Sequence, residues 1–298
     1  MLVSGNALLS KASLGGYALP AFNTSDLETT LALFSAAEKM KAPLFIQVTE
    51  STARHAGLEN IFAVVKQLEK TSSIPVCIHL DHGKDPQIIK KCLRLGFKSI
   101  MVDASRLPLK KNIAFTKKFV SMAKPKKCSV EAELGSLGRV GNVKLTDPKQ
   151  AKLFVEKTGC NYLAVAIGTS HGAYKFGGKP KLDLKRLCEI RELVSIPLVL
   201  HGASSVPAAL VKKCNRFGAK ISKARGVPEP SLRKAIKLGI SKINIDTDLR
   251  LALTAGLREF HAKNPTDFDP RNALFHARRL MQKEAEHKIK LFGARGKA

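Results

Sequence analysis

Three histidines stand where apolar runs give way to glycine-bearing loops: His82 in His79-Leu-Asp-His-Gly83, His171 in Gly168-Thr-Ser-His-Gly172, and His201 in His201-Gly-Ala-Ser204. One histidine in such a place is more often a hydrogen-bonded structural residue than a ligand. Three at the ends of separate strands argue for a shared metal ion. Three neutral imidazoles leave one or two coordination positions open, as in a catalytic rather than a structural zinc site, because a vacant position accepts a substrate oxygen. His82, His171 and His201 form that set. His79 reads as a packed interior histidine, two residues before Asp81 on the same strand face. Asp81 directly precedes His82, and strand alternation points their side chains to different sides, so that one binds metal while the other faces substrate. A carboxylate there suits a general acid/base acting on a hydroxyl held against the metal.

The two loops around Gly168–Gly172 and His201–Ser204 let backbone N–H groups approach an anion, because glycine permits the dihedrals that expose them. Lys175, Thr247 and Arg250 add donors and charge, and Asn244 and Asp246 have the chemistry to hold sugar hydroxyls. Each of these residues also fits a solvated loop, and Asp246 or Thr247 fits a cap on the helix that follows. Asn23 and Thr49 stand at the ends of the first two apolar runs and Asp103 at the end of the fourth, while Glu131 and Glu133 lie within the fifth.

Eight apolar, β-branched runs must position these residues: Gly16–Phe22, Pro43–Thr49, Pro75–Asp81, Ser99–Asp103, Ser129–Leu134, Tyr162–Ile167, Pro197–His201 and Lys242–Asp246. Near-continuous hydrophobicity marks strands buried on both faces. Helical periodicity lies between them, as in Ser25–Lys41, Leu58–Lys70, Pro86–Leu95 and Pro148–Thr158. The repeat predicts an α/β chain folded as a closed (β/α)8 TIM barrel, with an open doubly wound sheet as the alternative. Further helices, from Asp248 to about Lys263 and from Asn272 to Leu291, predict a C-terminal helical extension. No internal linker divides the chain, so residues 1–298 read as one domain, with the barrel to about 264 and the extension over about 265–298.

A chain of 298 residues with 44% apolar and 25% charged residues has the make-up of an ordinary globular protein, which excludes disorder. No uncharged apolar run is long enough to span a membrane, and the N-terminus lacks the basic and hydrophobic regions of a signal peptide. A cytoplasmic location is expected. The six cysteines form no Cys-x-x-Cys pair and read as reduced, mostly buried thiols. Charge is the outlier: 51 Lys plus Arg against 24 Asp plus Glu leaves a formal +27. Such a field draws in phosphorylated metabolites as readily as nucleic acid, and a solvated lysine-rich surface explains it equally well. The strongest basic stripe runs from Arg106 to Lys127 without an acidic residue, and no motif in it supports nucleic-acid recognition.

Taken in order, Ala21-Phe-Asn23, His79-Leu-Asp-His-Gly83, Met101-Val-Asp-Ala-Ser105, Ser129-Val-Glu-Ala-Glu-Leu-Gly135, Ala166-Ile-Gly-Thr-Ser-His-Gly172, Leu200-His-Gly-Ala-Ser204 and Asn244-Ile-Asp-Thr-Asp-Leu-Arg250 resemble the class II, zinc-dependent fructose-bisphosphate and tagatose-bisphosphate aldolases. The resemblance spans essentially the whole chain and supplies what spacing does not, the substrate. It implies reversible cleavage of fructose 1,6-bisphosphate to dihydroxyacetone phosphate and glyceraldehyde 3-phosphate, with tagatose bisphosphate as the alternative, or a basic polyanion-binding protein of reduced activity on an aldolase scaffold. By similarity, His82, His171 and His201 bind Zn2+, and Asp81 exchanges a proton with the C4 hydroxyl. Asp103 and Glu133 match an alternative metal location or supporting residues. Gly172, Lys175, Gly202, Ser204 and Thr247 receive the dihydroxyacetone-phosphate end, Asn244 and Asp246 lie near sugar hydroxyls, Asn23 and Thr49 line the substrate site, and Arg250 reaches the other phosphate. A monovalent cation (Na+ or K+) near the phosphate loop and a homodimer or homotetramer are further implications.

One segment departs from the family. After Gly135 relatives carry a longer loop with acidic residues, one of which abstracts a proton from dihydroxyacetone phosphate, whereas here no carboxylate lies between Glu133 and Asp147. Asp147 is the nearest substitute if the loop folds inward; slow condensation or lost activity are the other readings. Thr49, where relatives often have Ser, keeps the hydroxyl.

Overall fold

The computed structural model describes residues 2–135, 144–170 and 181–298. Strands β1 (Leu19–Asn23), β2 (Leu44–Thr49), β3 (Val76–Gly83), β4 (Ser99–Val102), β5 (Ser129–Leu134), β6 (Tyr162–Val165), β7 (Leu198–Leu200) and β8 (Ile240–Ile245) pair in parallel in sequence order. β8 closes on β1 through the register Ala21 to Asn244, which excludes the open sheet and makes the fold a TIM barrel. Within these strands every residue is buried except Thr49 and His82, which are half-buried. Burial of both faces explains the near-continuous apolar runs, and the two exceptions mark the end at which the barrel opens.

The helices are α1 (Gly5–Leu14), α2 (Leu27–Met40), α3 (Glu50–Thr52), α4 (Leu58–Thr71), α5 (Pro86–Leu95), α6 (Leu109–Ala123), α7 (Pro148–Thr158), α8 (Leu184–Leu193), α9 (Ala208–Arg216), α10 (Glu229–Lys237), α11 (Thr247–Lys263) and α12 (Pro270–Leu291). Local chemistry fixes their ends where the signals agree. Asp85 and Asp147 cap α5 and α7, Pro86 and Pro148 open them, and Gly96 and Gly159 end them in the left-handed region. α5 then buries Ile89, Cys92 and Leu93, spaced to share one face. Each such aliphatic side chain contributes about 1.5–3 kcal/mol by leaving water.

The N-terminal ends of the strands are closed by α1, which the sequence patterning does not anticipate. Gly5 lies so near the start of β6 that a Cβ would stand 2.5 Å from the Tyr162 hydroxyl, and the Asn6 amide donates to Ser129 Oγ at 2.9 Å at the start of β5. Chemistry is thereby left to the opposite, C-terminal face. α12 lies across α2 and α11, with Gly256 of α11 tight against Ala277 of α12. Beyond it, the Gly296 and Ala298 amides donate to Met40 and Lys41 carbonyls at 3.0 Å. Arg106, Lys110, Lys111, Lys117, Lys118, Lys124, Lys126 and Lys127 are all exposed along α6 and its flanks, while Asn112, Thr116 and Phe119 face inward. Among the described residues no helix is long and apolar enough to cross a membrane.

Candidate active site

β3 follows β4 in register to Leu80, opposite Ile100, and resumes at Gly83 opposite Val102. Asp81 and His82 thus share one partner position, Met101, and form a bulge in which His82 takes φ 52°. A positive φ is uncommon outside glycine, and an extra residue cancels the two-residue side-chain period. The expected divergence of Asp81 and His82 is therefore corrected. Both aim into the same space, His82 Nε2 4.0 Å from Asp81 Oδ1, and the ligand atoms of Asp81, His82 and His201 lie within 4.8 Å of one another.

Outer partners set the protonation of both imidazoles. His82 Nδ1 lies 2.9 Å from Asp103 Oδ2, and His201 Nε2 lies 2.6 Å from Glu131 Oε1. Carboxylates only accept, so these two nitrogens carry the protons in the neutral rings. The remaining nitrogens, His82 Nε2 and His201 Nδ1, then present lone pairs 3.0 Å apart. A proton on His82 bridges the two nitrogens, and the Asn244 amide also reaches His201 Nδ1 at 3.2 Å; a divalent metal that displaced that proton would take both lone pairs, so the donor set fits one. Burial would lower the His82 pKa, but Asp81, Asp103 and Glu133 push it up to about 9. His82, Asp103 and Glu133 make a second group with ligand atoms within 4.8 Å. Burial, reinforced by Asp103, pushes Glu133 up to about 7.

Asp81 is clamped by two amides. Asn23 Nδ2 donates to Oδ2 at 2.9 Å and Asn244 Nδ2 to Oδ1 at 3.0 Å. Each amide is oriented from behind: Gln47 Nε2 donates to Asn23 Oδ1 at 3.1 Å, and Lys242 Nζ to Asn244 Oδ1 at 2.8 Å. Burial would raise the Asp81 pKa, yet His82, His201 and Lys242 hold it below the ordinary carboxylate value. The carboxylate is thus an ionised acceptor with a fixed direction.

Asn23, Thr49, Asp81, His82, Gly202, Ser204, Asn244, Asp246, Thr247 and Arg250 surround one cavity of about 290 Å³. The close approach of Gly202 requires glycine: its φ is 59°, and a Cβ would stand 2.5 Å from the Ser170 carbonyl oxygen. Asp246 occupies the N-cap position of α11 but makes no side-chain cap bond. Its amide reaches Ser204 Oγ at 3.3 Å, and its carboxylate accepts from Arg250 Nε at 2.8 Å. Thr49 Oγ1 caps α3, accepting from the Thr52 amide at 3.1 Å. His171, Gly172 and Lys175 lie outside the described residues.

Residues 3–297 match the family model described as "Fructose-bisphosphate aldolase class-II". The chain belongs to the class II fructose-bisphosphate aldolase family. It is 44% identical to the fructose-bisphosphate aldolase of Thermus caldophilus and 40% identical to that of Helicobacter pylori (strain ATCC 700392 / 26695), in each case over 100% of both chains. Among solved structures, the YdjI aldolase from Escherichia coli K12 superposes with a TM-score of 0.85 at 33% identity over 100% of both chains. Metal dependence is general in class II aldolases.

Against that family background, Asp147 needs correcting. Rather than lining the cavity, it caps α7, accepting from the Gln150 amide at 2.8 Å with its side chain at the surface. Glu131 and Lys242 also belong to the site, although the sequence motifs do not single them out. Lys242 Nζ lies 2.9 Å from Glu131 Oε2 and 5.3 Å from the centre of the Phe45 ring, and both charged residues are fully buried. The available signal was spacing: Glu131 stands two residues before Glu133 and Lys242 two before Asn244, so each shares an inward face with a selected residue. His79 is packed in the same layer, with Nδ1 2.6 Å from Ser99 Oγ.

Proposed function

We infer that this chain is a class II fructose-bisphosphate aldolase that cleaves fructose 1,6-bisphosphate reversibly to dihydroxyacetone phosphate and glyceraldehyde 3-phosphate, the aldol step of glycolysis and gluconeogenesis. The observation that carries the reading is the convergence of Asp81, His82 and His201 at the open end of the barrel.

Zinc held by His82 and His201, with His171 as the third ligand, would supply Lewis-acid polarisation of the ketose carbonyl. Asp103 and Glu131 would hold the two rings in the tautomers that leave His82 Nε2 and His201 Nδ1 as donors, and Glu133 with Asp103 would offer the alternative metal position. Asp81 accepts the proton of the C4 hydroxyl as the C3–C4 bond breaks and returns it to the aldehyde oxygen in condensation. Its two amide clamps fix the direction of that transfer at little reorganisation cost.

Gly202, Ser204 and Thr247, with Gly172 and Lys175, would receive the phosphate of dihydroxyacetone phosphate on backbone and hydroxyl donors at the start of α11. Asn244 and Asp246 stand by the sugar hydroxyls, with Asn23 and Thr49 completing the wall. Arg250, mostly exposed and paired with Asp246 at 2.8 Å, would reach outward to the second phosphate. A monovalent cation (Na+ or K+) near the phosphate loop, a homodimer or homotetramer, one domain over residues 1–298 and a cytoplasmic location complete the reading.

A coupled cleavage assay with fructose and tagatose bisphosphates, before and after chelation and zinc return, tests it. Cleavage of the fructose substrate should vanish on chelation and recover with zinc. Undiminished turnover in metal-free protein would sink the metal assignment, and a preference for tagatose bisphosphate would replace the substrate.

A further inference from the structure

The turn after β7, residues 201–207, carries Gly202 and Ser204 and is backed by groups the reaction does not use. Val206 has φ 50°, a conformation that β-branched residues rarely adopt and that persists only where the surroundings impose it. Asp248, in the first turn of α11 and fully buried, imposes it: Oδ2 accepts from the Ser205 amide at 3.0 Å and Oδ1 from the Val206 amide at 2.8 Å. Its charge is met by Lys288, also fully buried, whose Nζ lies 3.1 Å from Asp248 Oδ2 and 2.6 Å from Ser205 Oγ. Lys288 belongs to the last turn of α12, outside the barrel, where Glu284 Oε1 at 2.9 Å and Glu229 Oε1 at 3.5 Å complete its surroundings. Burial would lower the Lys288 pKa, but Asp248 and Glu284 keep it above the ordinary lysine value, so the ammonium stays charged.

We propose that Lys288 is a positioning residue through which the C-terminal helix α12 sets the phosphate-binding turn after β7. The chain of contact runs from Lys288 to the Asp248 carboxylate and the Ser205 hydroxyl, and from Asp248 to the two amides that hold the turn. Without the ammonium, Asp248 is a buried carboxylate lacking its cation, and it relaxes toward water or protonation. Either change loosens the Ser205 and Val206 amides and, one residue away, Ser204. The inference rests on the reading of Gly202 and Ser204 as phosphate donors. It predicts that α12 governs affinity for the phosphorylated triose and leaves bond cleavage alone.

Full-length protein carrying Lys288→Met or the milder Ser205→Ala is compared with Lys213→Met. Lys213 ties α9 to α11 through Glu259 at 2.7 Å, and neither residue contacts the turn. Binding of dihydroxyacetone phosphate, KM and kcat for the bisphosphate, zinc content and thermal midpoint are measured. Lys288→Met should raise the dissociation constant and KM about tenfold, the scale of one lost charge-assisted hydrogen bond, with kcat and zinc content unchanged. Ser205→Ala, which removes the hydroxyl that accepts from Lys288 and donates to Asp248 at 3.3 Å while leaving their ion pair in place, should give a smaller rise of the same kind, and it keeps the test alive if Lys288→Met fails to fold. Lys213→Met should lower the thermal midpoint without moving KM. Equal KM rises in Lys288→Met and Lys213→Met, or unchanged affinity in Ser205→Ala beside a non-folding Lys288→Met, would overturn the proposal. Ser204→Ala separates the premise: if it leaves triose-phosphate affinity intact the phosphate reading falls, whereas weakening by Ser204→Ala alone overturns only the role of Lys288.

Discussion

Two fully buried lysines serve this barrel, and their surroundings differ. Lys242 lies inside it, between β5 and β8, with Glu131 on one side, the Phe45 ring on another and Asn244 Oδ1 ahead. Lys288 lies outside, on α12, among the carboxylates of Asp248, Glu284 and Glu229. The interior lysine orients side chains, fixing the Asn244 amide that clamps Asp81 and the carboxylate that selects the His201 tautomer. The exterior one holds backbone, by way of Asp248 and the turn after β7. A buried cation is costly in either place, so each marks a part of the site whose direction is set from behind.

The interior cluster converges on Asp81, and the largest loss is expected there. Asp81→Asn keeps the shape and one acceptor while removing basicity, so kcat should fall by about 10²–10⁴-fold with zinc still bound. Turnover within a few-fold of the parent, measured with metal content on the same sample, would move proton transfer to another group.

Lys242→Met tests the next layer. It leaves Glu131 buried without its cation and frees the Asn244 amide to turn, so stability should drop by about 3–5 kcal/mol. Zinc affinity should weaken about 10–100-fold, the usual effect of disturbing the partner of a ligating histidine. Chelator competition and urea unfolding measure the two effects. Parallel loss of zinc affinity in Lys288→Met would erase the distinction between the two lysines.

The limits of the sequence follow the same division between pattern and direction. Helices α5 and α7 are readable to the residue, because Asp85-Pro86 and Gly96, like Asp147-Pro148 and Gly159, are independent stop and start signals that agree. Strand burial on two faces is legible as a continuous apolar run, and eight such runs predict the barrel, but closure rests on the β1–β8 pairing, which pattern alone does not show. α1 is not legible: Gly5-Asn-Ala-Leu-Leu-Ser lacks a strong helical stripe, and contacts with the strand ends near Ser129 and Tyr162 hold it. Nor is the bulge at Asp81 and His82, since a single extra residue leaves no trace in composition yet reverses the direction of a side chain. Asp147 shows the converse, a chemically plausible carboxylate whose position at the start of a helix commits it to capping.

A third carboxylate cluster, nearer the surface, should respond to pH alone. Hydrogen bonds from Lys213, Lys263 and His276, against the opposing effect of burial, hold the Glu259 pKa down at about 2 from an ordinary 4.5. A carboxyl with a lower pKa folded than unfolded adds stability that is fully present above the unfolded value and lost as pH falls through the folded one. Urea midpoints should therefore decline between about pH 5 and about pH 2, and Glu259→Gln should flatten part of that decline. An unchanged slope in the variant would show that Glu259 is not among the responsible groups.

The smallest effect is expected from the largest concentration of charge. Lys110, Lys111, Lys117 and Lys118 are exposed on α6, and among the described residues none has a carboxylate within ion-pairing distance. Only Lys242 among the described lysines enters the barrel beneath the site, so the stripe has no structural path to Asp81 like that of the two buried lysines. Exposed charges act on a bisphosphate only through the screened field, which falls off over about 8–10 Å at ordinary salt. Replacing all four lysines with Gln should leave kcat and KM nearly unchanged at moderate salt. If the stripe also binds nucleic acid, affinity for a random duplex should fall and its salt dependence flatten in the same variant. A several-fold rise in KM that disappears at high salt would instead show that α6 steers substrate toward the open end of the barrel, making charge outside the barrel a kinetic contributor.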